Sequence, residues 1–323
     1  MREHRRDDTR GRQVAVSGSL WQSARMRVFV TGVAGFVGRR LEARLEAAGA
    51  EVIGTDLELD VGDAGRVAEA VEAARPDAVV HLAAISFVPE AESNPQAVYR
   101  VNFLGAHSIL EAAQKISPGS RVLLVGSGYV YGAADPGAPP FDESSPLRPD
   151  SPYAWSKAAA DLLGGFYGTR GVDVVRVRPF NHTGPGRPDR FVESSFARQI
   201  AEIEAGVRPP KMAVGNLDAI RDFLDVEDVL DAYLQLLDSE IPAGVYNVAS
   251  GRGTSIRELL DLLLAESMLR PEVEMDPARW RPADSVVGSA RRLEEATGWA
   301  PATPLQETLR SLLDDWRERI AAA

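Results

Sequence analysis

Residues 31–38 read Thr-Gly-Val-Ala-Gly-Phe-Val-Gly, three glycines at intervals of three set between an apolar run and a helical pattern. Before them, Met26-Arg-Val-Phe-Val-Thr31 has the character of a buried strand. After them, Arg39 to Ala48 carries leucine and alanine at helical spacing. A strand that turns directly into a helix through glycines opens a βαβ unit. Gly32 allows the tight turn, Gly35 lets the backbone approach a pyrophosphate, and Gly38 lets helix lie close on strand. The amide groups and dipole at the helix start favour phosphate. The spacing differs from the commoner dinucleotide fingerprint by one residue before the middle glycine.

The rest of the chain repeats this alternation. Apolar runs fall at Arg27–Thr31, Glu51–Gly54, Ala78–Leu82, Arg121–Val125 and Asp173–Arg178, with helical patterns at Arg39–Ala48, Arg66–Ala74, Gln96–Lys115 and Tyr153–Tyr167. Repeated βαβ predicts an α/β fold, a Rossmann-type doubly wound parallel sheet with ligands at the carboxyl ends of its strands. After Phe180 a Gly/Pro-rich loop leads to a helix near Val192–Ala205 and then to short elements. The expected division is a dinucleotide-binding domain over 26–180 and a smaller, interleaved substrate lobe over 181–323. Phe223–Leu237 and Val245–Val248 are the segments expected to return to the main sheet. Residues 1–25 are polar and arginine-rich without the apolar core of a secretory signal, and read as a disordered extension.

Composition narrows the partners. A formal net charge of −11 argues against nucleic acid and anionic membranes, and no apolar stretch is long enough to span a bilayer. The chain has no cysteine, which agrees with a cytoplasmic location. Its four histidines (His4, His81, His107, His182) lack metal-ligand spacing, so no metal is expected.

Three later positions carry chemistry. Ser127 follows an apolar strand in Gly-Ser-Gly-Tyr-Val-Tyr-Gly, and Tyr153 and Lys157 lie four apart in a helical pattern, on one face. An ammonium beside a phenol lowers the phenol's pKa, and a serine hydroxyl can hold the carbonyl oxygen that gains or loses the proton. Asp56 follows the second strand, where an acid meets the adenosine ribose and repels a 2′-phosphate. NAD(H) is therefore expected over NADP(H), with Arg39 and Arg40 as nearby cations that could accept the phosphate.

These residues resemble the extended short-chain dehydrogenase/reductase family, whose members act on nucleotide sugars. The likeness runs from Met26 almost to the C-terminus. It includes the glycine turn, His81-Leu-Ala-Ala84, Asn102, Ser127, Tyr153 and Lys157. It implies that Asp60 and Val61 flank the adenine and that Phe36, Val37, Leu82, Ala83, Ala84 and Pro179 line the cofactor cleft. Lys157 would hold the nicotinamide ribose, and Asn102 would support a water or backbone relay to Lys157. The C-terminal half is most similar to members that reduce GDP-4-keto-6-deoxy-D-mannose at C4, on Arg178–Gly186, Val214–Phe223, Val245–Gly251 and Arg281–Asp284. A GDP-sugar substrate is thereby implied. Arg221 and Arg281 suit its diphosphate, Asn181 its sugar or phosphate, and Asp284 its ribose hydroxyls. Arg187, Arg190, Lys211 and Arg279 read as surface charges or secondary contacts, and His182 as a loop-stabilising residue.

The scaffold also supports 4-epimerisation and 4,6-dehydration. Dehydratases of the family place acids just after the catalytic Ser or Thr, whereas Gly128, Tyr129 and Val130 stand here, so dehydration is disfavoured. An NAD-dependent 4-epimerase is the alternative, and a non-catalytic dinucleotide sensor is disfavoured by the intact triad. The helices from Gln96 and Tyr153 look apolar on more than one face. In the family they pair with their copies, so a homodimer through a four-helix bundle is expected.

Overall fold

The computed structural model describes residues 26–135, 137–280 and 283–322. The extension expected over 1–25 lies outside them. Along the chain, β1 (Arg27–Thr31) leads to α1 (Gly38–Ala47), β2 (Glu51–Thr55), α2 (Ala64–Ala74) and β3 (Ala78–His81). Short helices α3 (Val88–Ser93) and α4 (Pro95–Val98) and a π-helical segment (Tyr99–Leu104) precede α5 (Gly105–Lys115) and β4 (Arg121–Val125). Then come α6 (Pro152–Gly168), β5 (Asp173–Pro179), β6 (Asn181–Thr183), α7 (Val192–Glu204), β7 (Lys211–Val214) and β8 (Ile220–Asp225). The chain continues through α8 (Val226–Leu236), β9 (Gly244–Val248), β10 (Gly253–Ser255), α9 (Ile256–Ala265) and β11 (Glu272–Met275). It ends in β12 (Ser285–Val286), α10 (Arg291–Thr297) and α11 (Leu305–Ala321).

The main sheet is six-stranded and wholly parallel, in the order β2-β1-β3-β4-β5-β9. Period-two alternation sends successive side chains to opposite faces. Val28, Val30, Val80, Leu123, Val175 and Val177 pack with Leu41, Leu45 and Tyr233 on one side. Phe29, Val79, Val122, Leu124 and Val174 pack with Val67, Val71, Ile109 and Leu110 on the other. Both faces are covered by helices, which defines a Rossmann-type α/β fold. The strand order reverses between β1 and β3, so the crevice of a doubly wound sheet opens there. The glycine turn forms one wall and Leu82–Ala84 the other.

The C-terminal half is shared between two bodies. β9 is the edge strand of the main sheet, beside β5. Phe223–Leu237, expected to return to that sheet, divides. Phe223–Asp225 ends β8, at the centre of a small sheet with β6, β10 and β12. α8 instead covers the main sheet and is held to α1, with Arg44 donating to Glu227 at 3.0 Å and to Asp231. A separate core joins α7, α9 and α11.

A second departure concerns Gln96–Lys115, which is not one regular helix. The π-helical segment interrupts it, and the wider turn sets Asn102 inward, where it is 2% exposed.

A buried ionic network ties these parts together. Asp161 on α6 accepts from Arg178 Nε at 2.9 Å and Nη2 at 2.8 Å, and from Arg176 at 3.0 Å. Arg178 Nη1 donates to the Tyr131 hydroxyl at 2.7 Å, which donates to Asn247 on β9 at 2.7 Å. The Asn247 amide then donates to Phe141 O and Ser289 O. Removing one partner of such a pair leaves an uncompensated charge in a dry site. Asp161→Ala is expected to lose about 3–5 kcal/mol of stability in urea unfolding; a variant as stable as the parent would show that the network carries no weight.

Candidate active site

Local signals fix α6, the helix that carries Tyr153 and Lys157. Ser151 caps α6 by accepting from Ala154 N–H at 3.2 Å, and Pro152 occupies its first turn, where a missing N–H costs nothing. Tyr153 and Lys157 then face the sheet one turn apart. Ser127 ends the extended run from β4, and its hydroxyl accepts from Tyr129 N–H at 3.2 Å, starting a short 3-10 turn.

The three side chains meet at the carboxyl end of β4. The Ser127 hydroxyl lies near enough to the Tyr153 phenol to favour its ionised form, and Lys157 Nζ donates to Val125 O at 2.8 Å. All are nearly enclosed, with exposures of 5% for Ser127, 8% for Tyr153 and 5% for Lys157. Burial pushes the Tyr153 phenol up, while the Ser127 hydroxyl and the Arg187 charge pull it down. This net direction is opposite to the one that Tyr-Lys spacing suggests. Removal from water outweighs the neighbouring charges, and it also lowers Lys157 to about 8.

Asn102 does not bond Lys157. Its carbonyl oxygen accepts from Ile85 N–H at 2.9 Å, and its amide donates to Ile85 O at 3.0 Å and Ser156 Oγ at 2.9 Å. It therefore fixes the strand leaving β3 against α6. Beneath it, His81 Nδ1 lies 2.8 Å from Thr31 Oγ1, while its Nε2 is buried without a partner among the described residues. Burial and then the Lys157 charge lower His81 to about 3, so the ring is neutral.

The dinucleotide wall fits its expected ligand. Gly32 has φ +76°, and a Cβ there would sit 2.8 Å from Ala83 N, closing the crevice. A Cβ on Gly38 would lie 2.2 Å from Gly32 O, so helix and turn can meet only through glycine. The Asp56 carboxylate accepts from Ala34 N–H at 2.9 Å, placing the acid at the rim of the turn. Asp60 is paired with Arg100 and accepts from Gly62 N–H at 2.9 Å, and Val61 is buried beside Gly105. Phe36 and Val37 lie in the turn, Leu82 and Ala84 follow β3, and Pro179 is buried at the end of β5. Arg40 is engaged elsewhere, with Phe36 O, Pro185 O and Glu227, whereas Arg39 is exposed.

On the lobe side, Arg221 and Asp284 are partners of each other at 2.7 Å. Arg221 Nε also donates to the Tyr129 hydroxyl at 3.2 Å, and the Tyr129 ring packs edgewise on Tyr153, 6.3 Å between centroids. Tyr129 thus links the triad to the lobe, a role nothing in its sequence position signals. Asn181 is partly buried on β6, and its side chain bonds no protein group among the described residues. Arg281 lies outside the described residues.

His182 lies 3.0 Å from Phe180 O through Nδ1 and stacks on Phe36, as a loop-holding residue should, and burial lowers it to about 4. Arg190, Lys211 and Arg279 are exposed or half-exposed cations paired with Glu90, with Glu272 and Glu274, and with Asp276. Arg187, read as a surface charge or a secondary contact, is not solvated as a surface charge would be. Its side chain is 14% exposed, bonded to Glu193 at 3.1 Å, and its charge acts on Tyr153. A loop arginine looks solvated in sequence because only the fold brings Phe36 and Phe191 around it.

Comparison with known proteins gives a consistent picture. A family model described as GDP-mannose 4,6 dehydratase matches residues 57–312. The chain is 41% identical over 299 residues to GDP-6-deoxy-D-mannose reductase of Pseudomonas aeruginosa, covering 91% of this chain and 98% of that protein. The solved structure of RMD from Pseudomonas aeruginosa complexed with NADPH superposes with a TM-score of 0.83 at 39% identity, covering 91% and 99% of the two chains. The UDP-glucose 4-epimerase of Thermus thermophilus, in complex with NAD, superposes at 0.81 with 31% identity, covering 90% and 99%.

The lowered pKa of Lys157 has a measurable cost. Lys157→Met is expected to stabilise the fold at pH 7, by on the order of 2 kcal/mol once the lost hydrogen bond is subtracted, while abolishing turnover. The folded lysine releases its proton near pH 8 and the unfolded one near 10.5. The penalty in the parent is therefore complete below 8 and relieved as pH rises toward 10.5, so the variant's advantage should shrink over that range and reverse once only the lost hydrogen bond remains. A variant that melts below the parent at every pH would show that Lys157 is not strained by burial.

Proposed function

The chain belongs to the GDP-mannose 4,6 dehydratase family, within the NAD-dependent epimerase/dehydratase enzymes, and on that premise we propose that it reduces the C4 ketone of GDP-4-keto-6-deoxy-D-mannose to give GDP-D-rhamnose. The observation that carries this reading is the meeting of buried Ser127, Tyr153 and Lys157 at the carboxyl end of β4, with Gly128, Tyr129 and Val130 after the serine. Dehydration needs a further acid/base to eliminate water, and no carboxylate stands in those three positions. The resemblance to the Pseudomonas aeruginosa reductase supports the same choice.

The glycine turn, Asp56 and the Leu82–Ala84 wall would hold a nicotinamide dinucleotide, which when reduced supplies hydride to C4. Tyr153 gives its proton to the forming alkoxide. Ser127 holds that oxygen through its hydroxyl. Lys157, with its pKa at about 8, stays mostly protonated at neutral pH and stabilises the phenolate left behind. Tyr153 is then reprotonated from solvent. Its raised pKa suits a group that must start the cycle as an acid.

The rim position of Asp56 supports NADH, since a carboxylate bonds ribose hydroxyls and repels a 2′-phosphate. The likeness to the NADPH complex keeps NADPH in the test. A 4-epimerase is the second reading, favoured by the likeness to the Thermus thermophilus epimerase.

A second copy of the chain is the proposed partner. α6 turns Tyr153 and Lys157 inward, and Trp155, Leu162 and Phe166 outward at exposures of 48%, 64% and 49%. Leu104 and the Tyr99 and Phe103 rings continue this face beside Trp155. An apolar patch of this kind marks an interface.

Three outcomes are expected. In a coupled assay, GDP-mannose and a 4,6-dehydratase supply the keto sugar, and the protein oxidises NADH faster than NADPH. Tyr153→Phe slows this by about 10²- to 10⁴-fold with dinucleotide binding intact. Bound dinucleotide without consumption, and interconversion of unreduced nucleotide sugars, would instead establish the epimerase. Light scattering should give a dimer that Trp155→Glu converts to monomer; a monomeric parent at micromolar concentration would refute the pairing.

A further inference from the structure

Among the described arginines of the cleft, Arg187 is the one whose donors are left over. It follows Gly-Pro-Gly in the loop between β6 and α7, and that loop is braced residue by residue. Pro185 O accepts from Arg40 of α1, and Gly186 N–H donates to Asp315 of α11 at 2.8 Å. Arg187 N–H donates to Gly184 O at 3.2 Å, and Arg187 O accepts from the Ser194 hydroxyl at 2.7 Å. The backbone that carries the side chain is thereby fixed to both halves of the molecule.

The guanidinium is fixed as well. Its central carbon lies 3.5 Å from the Phe191 ring centroid and 5.2 Å from that of Phe36, in the glycine turn. Nε donates to Glu193 at 3.1 Å, a carboxylate that is itself 4% exposed. Nη1 and Nη2 donate to no protein group among the described residues, although the side chain is only 14% exposed. Burial holds the group below its usual pKa, so the single carboxylate does not repay desolvation. Arg221, the arginine that sequence marked for a diphosphate, differs. It spends its hydrogen bonds on Tyr129, Ile220 O, and the backbone and side-chain oxygens of Asp284.

We propose that Arg187 is a diphosphate subsite, its free Nη pair taking the diphosphate of a nucleotide bound between the glycine turn and Tyr153. Paired N–H donors in one plane match two phosphate oxygens, and the phenyl faces of Phe36 and Phe191 prevent the fork from swinging away. The inference rests on the reading that the cleft holds a dinucleotide and a nucleotide sugar. Both carry this chemistry, and a cation between the glycine turn and the triad is within the territory of each. Glu193 then acts as the counter-charge that keeps the cation in place before binding.

The test is direct titration of the full chain and its Arg187→Met and Arg187→Lys variants with NADH, NADPH and GDP, each alone. Arg187→Met is expected to weaken either dinucleotide or GDP by about 10- to 100-fold, the loss of charge-assisted hydrogen bonds to one anion. Arg187→Lys, which keeps charge without the fork, should fall between. Loss confined to dinucleotide assigns the subsite to the cofactor, and loss confined to GDP assigns it to the substrate. Affinities within about twofold of the parent for all three ligands would overturn the proposal. Should the methionine variant fail to fold, unchanged binding by the lysine variant does the same. The reductase reading is judged on turnover by the parent, whereas the subsite is judged only on the ratio of variant to parent affinity.

Discussion

The buried Asp161 carboxylate is the hinge of the site, because through it α6 is tied to the strand and the turn beside it. Arg178 grips that carboxylate with two donors and Tyr131 with a third, so one side chain connects the helix of Tyr153 and Lys157 to the turn of Ser127. Asn247 carries the link to the edge strand and to Phe141 and Ser289. A hydrogen-bond chain inside a protein is stiff, since each member would be left unpaired in a dry medium if it moved. This network holds the helix of Tyr153 and Lys157 in register with the turn of Ser127.

The same burial that gives precision makes the triad electrostatically costly. Lys157 is a buried cation donating to Val125 O, and Tyr153 is a phenol pushed away from ionisation. Neither arrangement favours folding. On the proposed reading both would favour loss of a proton from tyrosine beside lysine and serine, because charges placed in advance in a dry site act strongly. His81, neutral and enclosed beneath them, adds no competing charge at neutral pH.

Much of this is legible in the chain. The bounds of β1, β4 and α6 follow from apolar runs, a serine cap and proline, all local signals. Ser127, Tyr153 and Lys157 stand out because Tyr and Lys share a helix face at a spacing of four and Ser127 ends a strand. The π-helical segment is not legible, since Tyr99–Leu104 has an ordinary helical composition. It is selected by the hydrogen bonds of Asn102 to Ile85, which lies seventeen positions away. Arg187 and Tyr129 escape notice for a similar reason. Each looks like an ordinary loop or turn residue until distant groups meet it, Phe36 at Arg187, and Arg221 and Tyr153 at Tyr129.

By itself the sequence determined the βαβ alternation up to Phe180, because periodicity and glycine spacing act over a few residues and need no knowledge of what lies opposite. It also picked out Ser127, Tyr153 and Lys157 as candidates, since residue type and helical spacing put a phenol and an ammonium on one face of a helix. Only the tertiary structure decided the protonation of those residues, the partnership of Arg221 with Asp284, and the enclosure of Arg187 between Phe36 and Phe191. Those properties depend on desolvation and on distances between groups far apart in sequence, which are set when the parallel sheet and the lobe close on each other.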